Sequence, residues 1–157
     1  NSSLSNVISL IKDSNPKASI ITTVSPIRHL KDGFVDNNLS KAHLITAIHQ
    51  VLSSESVLKT LFYFPSYEMM MDELRDYRFY KEDMIHPNNT AVNIIWEAFN
   101  KAWISSETVP LQKAILAIQS SLEHKPFNPN SEDHLLFIRN LEAKISLIKK
   151  DVPHIKF

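Results

Sequence analysis

The chain contains no cysteine, which excludes disulfides, thiol catalysis and cysteine-ligated zinc while leaving the compartment open. It carries no excess of either charge: Lys+Arg and Asp+Glu both number 17. Nucleic acid demands clustered positive charge, and an anionic membrane surface does too, so neither is an expected partner. No apolar run approaches the roughly 18 residues needed to span a bilayer, and no transmembrane segment is expected. Glycine occurs once, at Gly33. The first residue is Asn1, with neither Met nor a signal-like segment, which points to a fragment or a processed product. What is present is a chain of 157 residues with 43% hydrophobic content, enough for one domain with a real core.

Apolar periodicity organises that content. Leu4, Val7, Ile8 and Ile11 share one helical face behind a serine-rich start, and Asn15-Pro16 ends the helix. "ASIITTVS" is a β-branched run suited to a strand buried on both faces, stopped by Pro26. "IRHLKDGFVDNN" reads as a polar loop, followed by a helix over residues 39–52 with Ala42, Ile45, Ile48 and Leu52 on one face. "LKTLFYF" is a second buried strand, ended by Pro65. Val92, Ile95, Trp96, Phe99 and Trp103 mark a further helix. Leu111, Ile115, Ile118 and Leu122 mark the next, with Pro110 in its first turn. Leu135, Ile138, Leu141, Ile145 and Ile148 mark the last, capped by Asn130 or Ser131. Helix–strand–helix–strand–helix order implies parallel strands, because each crossover carries a helix. Two parallel strands alone leave two raw edges and uncovered faces. The expectation is therefore either a small α+β domain or, favoured by the start without Met, the C-terminal part of a larger doubly wound sheet.

Residues 67–80, "YEMMMDELRDYRFY", read as a solvated helix face. Glu68, Asp72 and Asp76 lie four apart, with Arg75 and Arg78 available for ion pairs. No calcium-loop spacing accompanies these carboxylates, and Met69, Met70 and Met71 read as packing filler. Asp83-Met-Ile-His86 has a different meaning. A carboxylate one turn from an imidazole can accept the Nδ1 proton and leave Nε2 to serve a nucleophile. Asp151-Val-Pro-His154 has the same spacing but only follows a tail helix. Asp83 and His86 lie between a strand and a helix, where open α/β sheets place ligands. An ordinary turn remains the alternative for both. "TVSPIRH" puts Arg28 and His29 after the first strand, either as a polar turn or as the rim of a pocket at the strand ends. Neither Ser25 nor Ser66 has the glycine flanks of a nucleophile elbow. His43, His49, His124 and His134 lack metal-binding spacing and read as surface or packing residues.

Together, "TVSPIRHLKDGFVDNNLSKAHLITAIHQV", "YFPSYEMMMDELRDYRFYKEDMIHPN", "IIWEAF" and the tail "HKPFNPNSEDHLLFIRNLEAKI" resemble the C-terminal half of the GSCFA family, which groups with the SGNH/GDSL-type hydrolases. The resemblance implies a three-layer, flavodoxin-like parallel sheet contributed by residues 1–104, with a helical extension over residues 105–157. It implies a serine hydrolase site whose final Asp-x-x-His-Pro block is Asp83, His86 and Pro87, with His86 as general base and Asp83 as its orienter. Arg28 and His29, from their position after the first strand and not from the resemblance, are the candidates to face the substrate. The serine of the family's Gly-Ser-Cys-Phe-Ala segment, and the oxyanion-hole glycine and asparagine, belong to an N-terminal half that this sequence does not contain. That half would be the chain's first partner. The implied substrate is an acyl ester, by superfamily analogy an acylated carbohydrate, either hydrolysed or used for transfer without a cofactor. Alone, the chain is expected to be inert. The rival expectation is a non-catalytic binding or scaffold module on the same fold, and upstream sequence would separate the two.

Overall fold

A computed structural model describes residues 2–53 and 59–157. The fold is mixed α/β with a small parallel sheet, and it divides into two compact units, residues 1–100 and 101–157.

In the first unit, helix α1 (Ser2–Ser14) leads to strand β1 (Ile20–Thr22), helix α2 (Gly33–Leu52) and strand β2 (Leu61–Tyr63). The strands pair in parallel with Ile20 opposite Leu61, Ile21 opposite Phe62 and Thr22 opposite Tyr63. Hydroxyls take over where the ladder stops. Thr23 Oγ1 donates to the Phe64 carbonyl at 2.7 Å, and Ser66 Oγ to the Val24 carbonyl at 2.8 Å. These bonds explain why β1 is shorter than the 18–25 run expected from β-branching alone. Ile21 is 38% exposed, so the sheet is not buried on both faces among the described residues. Leu58, placed in the second strand by sequence, lies outside the described residues.

Two further expectations are corrected. Residues 33–38 are helix rather than loop: α2 begins at Gly33, whose φ of +90° is open to glycine at no steric cost. Residues 67–80 do not form one continuous helix. The turn α3 (Ser66–Glu68) runs into a π turn over Met69–Glu73, closed by Leu74 N–H donating to the Met69 carbonyl at 2.8 Å, and a 3₁₀ turn follows over Tyr77–Phe79. Met70 and Leu74 are thereby turned inward to pack with Tyr80 and Ala91, while Met71, Phe79, Ile94 and Ile95 close around them. Core packing decided the backbone here over charge periodicity. Of the anticipated ion pairs, Asp76–Arg78 at 3.1 Å forms, and Glu68 instead accepts the Tyr63 hydroxyl at 2.7 Å.

Helix α4 (Asn89–Trp103) follows. Asn88 caps its start, its Oδ1 accepting the Ala91 N–H at 3.1 Å. Ile8 of α1, Val51 of α2 and Leu61 of β2 form a separate core cluster.

The second unit is helical. A 3₁₀ turn over Ser106–Thr108 leads into α5 (Val109–Glu123), with Pro110 in its first turn, and α6 (Glu132–Asp151) returns against it. Ser131 caps α6, accepting the His134 N–H at 3.2 Å. Ile118, Leu141 and Ile148 form the core of this pair. No helix among the described residues is long and apolar enough to cross a membrane.

Candidate functional site

Residues 79–88 form a clipped loop on the Met70–Tyr80 core. Lys81 N–H donates to the His86 carbonyl at 2.8 Å, and Asn88 N–H to the Phe79 carbonyl at 2.9 Å. Tyr80 and Pro87 form the antiparallel bridge between these two bonds. Asn88 tightens the neck further by donating its amide to the Arg78 carbonyl at 2.7 Å. Since Asn88 also caps α4, the loop's exit is fixed to the start of that helix.

At the loop's tip the chain turns through Met84, whose φ of 58° lies in the left-handed region. For a non-glycine residue that conformation is unfavourable and needs compensation from its surroundings. Asp83 supplies it. Its Oδ1 accepts the backbone N–H groups of both Ile85 and His86 at 2.9 Å, and its Oδ2 lies 2.7 Å from His86 Nδ1. These bonds, the two backbone donors first and the imidazole after them, hold the Asp83 carboxyl down to about 2. The carboxylate is therefore ionised at neutral pH and can only accept, so Nδ1 carries the hydrogen, and in the neutral imidazole Nε2 presents its lone pair. The pair is half exposed, at 48% for the His86 side chain and 44% for that of Asp83. Exposed pairs of this kind add little to stability. What the geometry fixes is the tautomer and direction of the imidazole.

Asp151 and His154 show how little the spacing alone achieves. No hydrogen bond or ion pair joins them among the described residues.

Arg28 sits beyond β1 with its Cζ 4.9 Å from the centroid of the Tyr80 ring, against the same residue whose backbone bridges Pro87. His29 does not converge with it. Its Nδ1 lies 3.6 Å from Asp32 Oδ2 on the surface. Two α2 residues that carry no signature in the sequence pin this segment: Asn37 Oδ1 accepts the His29 N–H at 2.8 Å, and Lys41 Nζ donates to the Ser25 carbonyl at 2.9 Å. Both are buried, and burial lowers the Lys41 ammonium from its ordinary value. No local pattern marks them: Asn37 falls in the segment that reads as a polar loop, and Lys41 is a charged residue near the start of the helix that follows. Ser66 is buried and commits its hydroxyl to Val24 and, at 2.6 Å, to the Thr23 hydroxyl, so it is occupied structurally.

Beside Pro87 opens a cavity of about 460 Å³, lined by Ile21, Thr23, Phe64 and Ser66 from the sheet region and by α4 residues including Trp96 and Phe99. Phe99 packs edge-on against Phe64 at 5.1 Å and stacks with Trp96 at 5.8 Å. Thr23 and Ser66 have turned their hydroxyls to main-chain carbonyls, which leaves an apolar wall. No group of three or more His, Cys, Asp or Glu side chains suited to a metal ion occurs among the described residues.

A parallel sheet, a loop from strand end to helix and a tip built from Asp-x-x-His-Pro describe a mixed α/β protein with an oriented histidine. Residues 1–99 match the GSCFA family, and residues 115–157 match the C-terminal domain of GSCFA domain proteins. The chain belongs to the GSCFA family. No curated protein and no solved structure matches it.

Proposed function

We propose that this chain supplies the general base and its orienting carboxylate to an SGNH-type serine hydrolase that cleaves or transfers an ester-linked acyl group. The observation that carries the reading is the triple use of Asp83, which fixes His86 in the tautomer a base requires. His86 Nε2 would take the proton from a serine hydroxyl as its oxygen attacks the acyl carbonyl, then return it to the departing alkoxide. Asp83 would stabilise the imidazolium formed between those steps.

Nucleophile and oxyanion donors would come from the preceding half of the same domain, the chain's first partner in this reading. Two features support that arrangement. Among the described residues the sheet has two strands and so two unpaired edges, an unusual state for a parallel sheet. Ile21, at 38%, and Trp96, at 50%, also remain exposed beside the apolar cavity. Further strands on that edge would build the three-layer, flavodoxin-like sheet with residues 1–104, while residues 105–157 would form a helical extension. An acylated carbohydrate is the substrate suggested by analogy with the superfamily.

The test is covalent labelling with a fluorophosphonate probe. A longer protein that includes a Gly-Ser-Cys-Phe-Ala segment should be labelled on that serine, and the chain of 157 residues should not be. A longer protein that carries the segment yet resists labelling and turns over no ester would favour the non-catalytic module.

A further inference from the structure

Arg28 combines three properties that structural arginines seldom share. It is half buried. Among the described residues, neither an ion pair nor a hydrogen bond engages its guanidinium. And the segment that carries it is held from both ends by buried polar side chains, Lys41 on Ser25 and Asn37 on His29.

Its surroundings are phenolic. The guanidinium carbon lies 4.9 Å from the Tyr80 ring centroid. Tyr80 is 5% exposed, and its hydroxyl is buried without a hydrogen-bond partner, which leaves its desolvation uncompensated. Tyr67 joins the group. Burial raises its phenol, the charge of Arg28 opposes that rise, and Tyr80 and the carboxylates of Glu68 and Asp72 add to it. Lys41 Nζ stands 5.5 Å from the Tyr67 ring centroid and brings a second positive charge. Of the nearby carboxylates, Glu68 is engaged by the Tyr63 hydroxyl and Asp32 by His29; Asp72 is exposed.

We propose that Arg28, with the hydroxyl of Tyr80, binds an oxyanion on the ligand, a carboxylate or a phosphate. A guanidinium presents parallel donors that match two oxygens of such a group, and a phenol can donate to a third lone pair. The cation–π contact holds the guanidinium over the Tyr80 ring without consuming its hydrogens. Anchoring by Asn37 and Lys41 removes much of the ordering cost that a surface arginine would meet on binding. Tyr80 is also the residue whose backbone bridges Pro87, next to His86 in the chain, which ties the ring under Arg28 to the loop that carries the proposed base. The inference deepens the hydrolase reading by giving the substrate a negative charge, and it rests on that reading only for the claim that the bound anion belongs to an acyl ester.

Anion binding can be read on the chain itself, without turnover. Acetate and inorganic phosphate are titrated separately into the protein, with the Arg28 Nε–H and Tyr80 ring signals followed by NMR. At least one of the two should saturate at millimolar concentration. Arg28→Gln should weaken it by about tenfold or more, the usual size for a charged hydrogen-bond pair. Arg28→Lys keeps the charge and loses the fork, so it should recover only part of the affinity, and Tyr80→Phe should weaken binding severalfold. Saturation by neither anion overturns the site, as does equal affinity in folded Arg28→Gln protein. Either failure leaves the role of His86 standing, and a catalytically silent His86 leaves the anion site standing.

Discussion

Asp83 holds His86 twice: one carboxylate oxygen accepts its backbone N–H at 2.9 Å, and the other lies 2.7 Å from its imidazole Nδ1. A single side chain thus fixes both where the histidine's backbone runs and which way its ring faces.

The two functions of that carboxylate can be separated. Asp83→Asn keeps an oxygen for the Ile85 and His86 N–H groups but allows an amide to face Nδ1, which favours the wrong tautomer. In a protein that also carries the nucleophile, ester turnover should fall on the order of 10²–10⁴-fold while the loop's amide shifts barely move. Asp83→Ala should lose both. Equal loss of loop order in the two variants would contradict the division.

Acid should open the loop tip before it unfolds the core. The Asp83 carboxyl is lowered from 3.8 to about 2 in the folded chain. A depressed folded value means the carboxylate's contribution is fully present above the unfolded value and is lost as pH falls through the folded one. Amide exchange at Ile85 and His86 should therefore stay protected above pH 4 and rise between about pH 4 and pH 2. Protection that persists unchanged at pH 2 and below would contradict control by the carboxylate.

Met84 tests the backbone. At φ 58°, a β-branched side chain should be strained, and Met84→Val should destabilise the chain by about 1–2 kcal/mol in chemical denaturation. Met84→Gly should be neutral or slightly stabilising at that position. The reverse order would show that the Met84 side chain, and not its conformation, matters.

The core beneath the loop should behave like a packed interior. Met70 is fully buried between Leu74, Tyr80 and Ala91, so Met70→Ala should cost about 2–5 kcal/mol. Because Tyr80 bridges Pro87, the same variant should broaden the His86 ring signals. Unchanged His86 signals in a folded variant would uncouple the core from the site.

What could be read from the sequence followed the range of the interactions involved. Asp83 and His86 are three residues apart and bonded to each other, so local spacing was enough to find them. The parallel pairing of the strands followed from element order, the start of α5 from Pro110 in its first turn, and the cap of α6 from the Ser131 option. Met84 was invisible, because methionine carries no signature for a left-handed backbone. The π turn over Met69–Glu73 was equally hidden. Charged residues spaced four apart suggested a helix, and the need to bury Met70 and Leu74 overrode it. Asn37 and Lys41 act on main chain 8 and 16 residues away, and no periodic pattern encodes such contacts. Arg28 and His29 are neighbours in sequence, yet only Arg28 lies against Tyr80, while His29 turns to Asp32.

The most direct measurement is kcat/KM for a short-chain aryl ester in a protein that carries this chain together with a Gly-Ser-Cys-Phe-Ala segment, compared between the wild type and His86→Ala. The expected result is a fall of on the order of 10³-fold or more with an unchanged fold, as loss of a general base to a serine nucleophile requires. Turnover that survives intact in His86→Ala would contradict the assignment of His86 as the base.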